Sequence, residues 1–328
     1  MKVKQGDERR EAAKPMDTTT GKETFVTAIG GGKGGTGKST VSLSIAAILA
    51  LAGHRTVLAD LDFGAANLHT MLGIPSSSRS IVHFLYRKDT KSSLQECLVK
   101  TGIDNLSLLP GDGFMPGMAN MEFSRKQKLI RNLKQLTGDY LLCDLGAGSS
   151  YNVIDFFLAA DLGMLVLTAE ITAILNGYEF MKNCIFRKII RSFRATSDIG
   201  AYIEEYRKSK SGQSGSSIQD LTEKLESRFP GTAATIDMLC RSYSPIFFFN
   251  RESANQDQLG DKLTSLAKKY LNIDILYGGT IPEDRSIGHQ PLAALQDRSA
   301  SPYRQKIEAV ARFIEKINLK HEKQLSTH

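Results

Sequence analysis

The chain has 328 residues, with 42 Lys+Arg against 35 Asp+Glu and a formal net charge of +7. Hydrophobic residues make up 41% and charged residues 23%, which excludes bulk disorder, and the length suits one large α/β domain or two small ones with a real core. The modest positive excess permits weak attraction to phosphate surfaces without establishing nucleic acid or anionic lipid as a partner.

In chain order, residues 1–23 are polar and lack an apolar run, so they read as a disordered lead-in with no export signal. Residues 24–320 read as one domain. Strands are predicted at Phe25–Ile29, Thr56–Asp60, Leu106–Leu109, Tyr140–Asp144, Met164–Thr168, Pro245–Asn250 and Ile275–Ile281. Several are continuously apolar, the pattern of strands covered on both faces. Helical patterns fall between them, at Lys38–Ala52, Ser124–Leu136, Ile171–Arg194, Gln256–Leu271 and Pro302–Leu319. This alternation predicts a doubly wound, mostly parallel sheet whose ligands bind at the carboxyl ends of the strands.

The rhythm breaks at about 195–244. Helix candidates at Ile199–Lys208, Ile218–Phe229 and Thr232–Tyr243, with a Ser/Gly-rich loop after the first, predict a helical insertion rather than a second domain. Lys182–Lys210 holds eight Lys/Arg against three acids, which reads as a solvated helix face, with a docking surface as the alternative. Val41–Ala52 is short of the ~20 residues a membrane span needs and reads as a buried helix. Ile307, Val310, Ile314 and Ile317 recur at helical spacing and read as the core face of the last helix, with 321–328 as a tail. Cys97, Cys143, Cys184 and Cys240 form no CxxC pair and read as buried thiols of a reducing compartment.

The chemistry begins where the first strand runs into GGGKGGTGKST, Gly30 to Thr40. Gly32, four residues, then Gly37-Lys38-Ser39 match the phosphate-loop pattern G-x-x-x-x-G-K-[ST]. Glycines let the backbone wrap an anion with inward N–H groups, and the helix beginning near Lys38 adds its positive dipole end. Lys38 then reaches the β/γ-phosphates of a nucleotide and the Ser39 hydroxyl can ligate Mg²⁺. Two further elements stand at strand ends. VLADLDFGAANLH offers Asp60 and Asp62, and hydrolysis needs a carboxylate to orient the attacking water. DYLLCDLGAGSS ends a strand on Asp144, followed by Gly146.

Lys33 is a second lysine inside the loop, which the general pattern does not require. With the other elements it makes the chain resemble the deviant Walker A family of MinD/ParA-type ATPases, from Phe25 to about Leu319. The resemblance implies a P-loop NTPase fold of the SIMIBI type, ATP and Mg²⁺ as cofactors, and a homodimer formed on ATP. It implies that Gly32, Lys33, Gly34, Gly35, Thr36, Gly37, Lys38, Ser39 and Thr40 wrap the phosphates, with Lys33 reaching the partner's nucleotide. Lys33, Lys38 and Asp62 would be the catalytic residues, with Asp60 supporting Asp62 or the metal. Mg²⁺ would lie among Ser39, Asp62 and Asp144, while the Gly146 N–H approaches the γ-phosphate. Asn250 and Arg251, in FFFNRES, and Pro282 and Asp284, in GTIPEDRSI, would flank the adenine. The family's usual switch II proline is replaced here by Leu145-Gly146-Ala147-Gly148.

Within the family, DLDFGAANLH and TAEITAILNGYEFMK look most like MinD and the flagellar-number regulators FlhG and FleN. The N-terminal activating motif of those regulators is not found in DERREAAKPMD. The expectation is a slow, partner-stimulated ATPase acting as a dimerisation switch in spatial regulation. A regulatory protein would be its partner, and its location cytoplasmic, with contact to the inner membrane face or nonspecific DNA as further options. A DNA-associated partition ATPase and a ligase or amidase of the dethiobiotin synthetase class are the alternatives.

Overall fold

The computed structural model describes residues 23–76, 79–86, 93–111, 121–193, 197–209, 217–251, 256–284, 287 and 301–325. The lead-in (but for Glu23) and most of the Ser/Gly-rich loop lie outside the described residues.

Eight strands form one sheet: β1 (Phe25–Gly30), β2 (Thr56–Leu61), β3 (Val99–Lys100), β4 (Leu106–Leu109), β5 (Tyr140–Leu145), β6 (Leu162–Leu167), β7 (Ile246–Asn250) and β8 (Leu276–Ile281). Their order is β3-β4-β2-β5-β1-β6-β7-β8. All neighbouring pairs are parallel except β3 against β4. Each predicted strand is present. The two-residue β3 escaped prediction because a segment that short shows no alternation.

The helices are α1 (Lys38–Leu51), α2 (Leu68–Met71), α3 (Ile81–Tyr86), α4 (Phe123–Lys134), α5 (Tyr151–Ala159), α6 (Ile171–Ser192), α7 (Asp198–Ser209), α8 (Ile218–Arg228), α9 (Thr232–Arg241), α10 (Gln256–Leu266) and α11 (Pro302–Leu325). A short 3-10 helix at Leu94–Cys97 precedes β3, and α10 widens into a π turn at Ala267–Leu271 that ends on left-handed Asn272. The last helix passes the predicted end at Leu319 and takes in the first part of the expected tail. Lys320–Leu325 contains no Gly or Pro to stop it, and His321 packs edge-on against Phe25, ring centroids 5.9 Å apart.

The two faces of the sheet are covered differently. On one, α1 and α11 pack together over Phe25, Ile29, Leu58, Leu142 and Met164. Of the predicted stripe, Ile307, Val310 and Ile314 are buried there and Ile317 partly so; each fully buried side chain is worth about 1.5–3 kcal/mol. The serines interrupting α1 are satisfied locally. Ser44 Oγ donates to the Thr40 carbonyl and meets the Tyr303 hydroxyl at 2.8 Å, while Ser42 Oγ lies 2.9 Å from the Lys38 carbonyl.

On the other face, α4, α5, α6 and the insertion helices cover Val26, Ala28, Leu141 and Leu165. This layer encloses charge. Asp155 of α5 is fully buried and is held by Lys126 of α4 and by Arg187 and Arg191 of α6, at 2.5, 2.7 and 3.5 Å. The basic run is therefore not a bare solvated face. Lys182 pairs with Glu179, Arg187 and Arg191 with Asp155, and Arg207 with Glu204, while Lys188 donates to Ser242. Glu179 and Glu204 stand three residues away on the same helices, whereas Asp155 and Ser242 are brought in from elsewhere in the fold and are invisible in the local sequence.

Candidate functional site

The sheet order assembles the motifs. β1 and β2 both pair with β5, in registers that put Ile29 and Asp60 opposite Asp144. Gly30, Asp62 and Asp144, far apart in sequence, thus emerge together at the carboxyl ends of three adjacent central strands. β6 lies on the other side of β1, so the chain leaving it passes the phosphate loop.

Residues 31–37 form the loop, with Gly34 and Gly35 exposed and Thr36 buried, and α1 begins at Lys38. Gly37 caps α1 at φ 88°, and a Cβ there would come within 2.2 Å of Asn250 Nδ2. Only glycine meets both demands. Lys38 is 7% exposed, and its Nζ donates to the Lys33 carbonyl at 3.2 Å. Burial pulls its pKa down, opposed by the charges of Asp144 and Asp62.

Asp144 is buried at the end of β5 and accepts from Ser42 Oγ at 3.0 Å, while its Oδ2 has no partner. Burial pushes its pKa up to about 7, against hydrogen bonds from Ser39 and Ser42 and the charge of Lys38. A buried carboxylate oxygen without a donor, beside a serine on the first turn of α1, suits a hard cation that prefers oxygen ligands.

Asp62 turns back on its own loop. Its Oδ1 accepts from the N–H groups of Gly64 and Ala65 at 3.3 and 3.2 Å, and lies 2.9 Å from where a Cβ on Gly146 would stand. The loops carrying Asp62 and Gly146 therefore touch, and a side chain at 146 would push them apart. Asp60 supports Asp62 through the backbone. It is buried and accepts from the N–H groups of Asp62 and Leu68, so it pins both ends of the loop between them. Burial raises its pKa to about 6, with those backbone bonds opposing.

Lys33 sits on the rim. Its Nζ donates to Glu170 Oε2 at 2.8 Å and to Thr172 Oγ1 at 3.2 Å, with the lysine side chain 40% and the glutamate 61% exposed. Sequence reasoning assigned no role to Glu170 or Thr172. The signal was that TAEIT follows a strand adjoining β1.

Asn250 ends β7, is 7% exposed, and donates its side-chain amide to the Thr36 carbonyl at 2.8 Å. It is thereby joined to the back of the loop. Arg251 follows at φ 68°, its N–H bonded to the Ile281 carbonyl. Asn250 pairs in register with Ile281, so Arg251 and Pro282 leave the sheet side by side, with Asp284 two residues on. Among the described residues, no cluster of three or more His, Cys, Asp and Glu forms a metal centre, and the four buried cysteines form no disulfide. No described helix is long and apolar enough to cross a membrane.

The antiactivator FleN of Pseudomonas aeruginosa is 30% identical over 159 residues, 48% of this chain and 55% of that protein. The flagellum site-determining protein YlxH of Helicobacter pylori is 31% identical over 164 residues, 47% and 52%. The chain thus matches about half the length of these relatives. Among solved structures, the cell division ATPase MinD of Pyrococcus furiosus superposes with a TM-score of 0.57 at 19% identity, covering 89% of this chain and 99% of that one. MinD of Pyrococcus horikoshii, complexed with Mg-ADP, gives a TM-score of 0.56 at 19% identity, over 90% and 97%. These two show the fold. The model of the CobQ/CobB/MinD/ParA nucleotide binding domain matches residues 27–324, most of the sequence, and the chain belongs to that family.

Proposed function

We propose that this chain is a Mg²⁺-dependent ATPase that works as an ATP-driven dimerisation switch in spatial regulation, of the division-site or flagellar-number type. The observation that carries the reading is the contrast within one loop. Lys38 is buried between Asp144 and Asp62, where an ATP phosphate would lie, while Lys33 stands on the rim with only surface contacts to Glu170 and Thr172. An exposed ion pair of that kind is weak and screened by solvent, so a phosphate on a second copy can displace Glu170 at little cost.

Ser39, Asp62 and Asp144 would hold Mg²⁺, and the unpartnered Oδ2 of Asp144 fits that role. When bound, the ion neutralises charge on the phosphates. Lys38 holds the β/γ-phosphates from below. Asp62 leaves its turn with Gly64 and Ala65 to orient the attacking water. Gly146, already against Asp62, brings its N–H toward the γ-phosphate. Lys33 of the opposite copy supplies a positive charge to the leaving phosphoryl oxygens, worth several kcal/mol in a water-excluded site. Arg251, Pro282 and Asp284, with Asn250 behind them, flank the adenine. A regulatory protein would bind the composite surface and stimulate turnover.

Light scattering after gel filtration tests the reading. Asp62→Ala in Mg-ATP is expected to run as a dimer that reverts to monomer in Mg-ADP. Lys33→Ala is expected to stay monomeric. Two monomers in ATP would refute the switch.

A further inference from the structure

The insertion α7–α9 interrupts the alternation of strands and helices, and its contact with the rest of the molecule is specific. Tyr151 is the first residue of α5, directly after Gly146–Ser150, and its side chain is half exposed. The Arg187 guanidinium of α6 lies 4.6 Å from its ring centroid and that of Arg207, on α7, lies 5.7 Å from it. The Tyr151 carbonyl also accepts from Lys126 Nζ at 3.5 Å. One turn further along α5, Asp155 fastens the helix body to Arg187 through two bonds, at 2.7 and 2.9 Å. The helix is thus anchored in its middle, while its first residue faces both α6 and the insertion. Behind Arg207 the insertion is tied together. Glu204 holds the guanidinium at 3.1 Å, Tyr206 stacks on Phe186 of α6, and the Tyr206 hydroxyl donates to Asp220 of α8 at 2.6 Å.

From this arrangement we propose that the insertion is the element in which the chain displays its nucleotide state, and that Tyr151 is the positioning residue coupling it to switch II through Arg187 and Arg207. The proposal rests on the reading of residues 144–150 as a nucleotide-responsive segment. Gly146 touches Asp62, and Gly148 sits at φ 84°, so the stretch between Asp144 and Tyr151 can change its backbone path when the γ-phosphate is present or absent. Any such change reaches Tyr151 first. A ring that shifts against two guanidinium groups changes how firmly α7 is held, and Tyr206 with Asp220 passes the change to α8.

Hydrogen exchange on the full chain tests this in Mg-ADP and in Mg-AMPPNP, a nonhydrolysable ATP analogue. In the unaltered protein, amides of residues 198–209 and 218–228 should exchange at rates that differ between the two nucleotides by about threefold, the size of one exposed cation–π contact. Tyr151→Leu and Arg207→Gln should abolish that difference while residues 31–40 stay protected by either nucleotide. Tyr151→Phe, which keeps the ring face, should restore it. Equal exchange of the insertion in both nucleotides, with 31–40 protected, overturns the proposal, as does a full difference surviving in Tyr151→Leu. A chain whose residues 31–40 gain no protection from either nucleotide overturns the nucleotide reading, and this proposal with it.

Discussion

The two faces of the sheet achieve burial by opposite means. Over one, α1 and α11 meet along aliphatic side chains, and the few polar groups, such as Ser44 and Tyr303, satisfy each other. Over the other, a carboxylate with no solvent exposure is ringed by three cations, and arginines and lysines lie across tyrosine and phenylalanine rings. An apolar seam is forgiving of small shifts, because dispersion and water exclusion are non-directional. A buried charge cluster holds only in one geometry, since losing a single partner leaves an uncompensated ion. The face that carries α5 and the insertion is therefore the one built to register displacement.

Substitutions can break that contrast, and Asp155→Ala should do most. It strands the buried Lys126 and half-buried Arg187, for an expected loss of roughly 3–5 kcal/mol in urea unfolding. The same site predicts a pH dependence. Burial alone would raise the Asp155 pKa, but hydrogen bonds from Arg187 and Lys126 and their charges outweigh it and hold the pKa below the ordinary value. Its contribution to stability is complete above about pH 4, the unfolded carboxyl value, and is lost as the pH falls through the lowered folded pKa. Asp155→Asn should accordingly differ from the unaltered chain by a constant amount above about pH 5 and converge on it in acid. On the apolar face, Ile307→Ala should cost roughly 2–5 kcal/mol with no pH dependence between pH 4 and 8, read by the same titration. Ser44→Ala, which removes the bond to Tyr303, should cost about 1 kcal/mol. Glu170→Gln belongs to neither face and should leave the thermal midpoint almost unchanged, because the Lys33 and Glu170 side chains are both exposed.

How far the molecule could be read from its sequence follows the same division. The phosphate loop was legible because its chemistry is local: glycines, lysines and a serine within Gly30–Thr40 each answer a demand of one wrapped anion. The strand ends carrying Asp62 and Asp144 were legible because continuous apolar runs stop at them. Helix α5 was missed because YNVIDFFLAA is an apolar run that periodicity cannot separate from the strand beside it. The last helix was ended too early because nothing in the sequence shows His321 meeting Phe25. Lys126, Tyr151, Asp155, Arg187 and Arg207 come together from four helices, with no spacing rule to announce it. That Asp60 supports Asp62 was an expectation of the resemblance, but its bond to the Leu68 N–H at the far end of the loop was not legible.

Ser42 has one proton and two acceptors within reach, the Lys38 carbonyl at 2.9 Å and Asp144 Oδ1 at 3.0 Å. It can serve only one of them at a time. With Asp144 ionised and bare, the proton goes to the carboxylate and fastens the first turn of α1 to the neighbouring strand. Once a cation draws on that charge, the proton can fall back to the helix's own carbonyl. A single hydrogen atom thus arbitrates between cohesion inside the helix and cohesion across to the sheet.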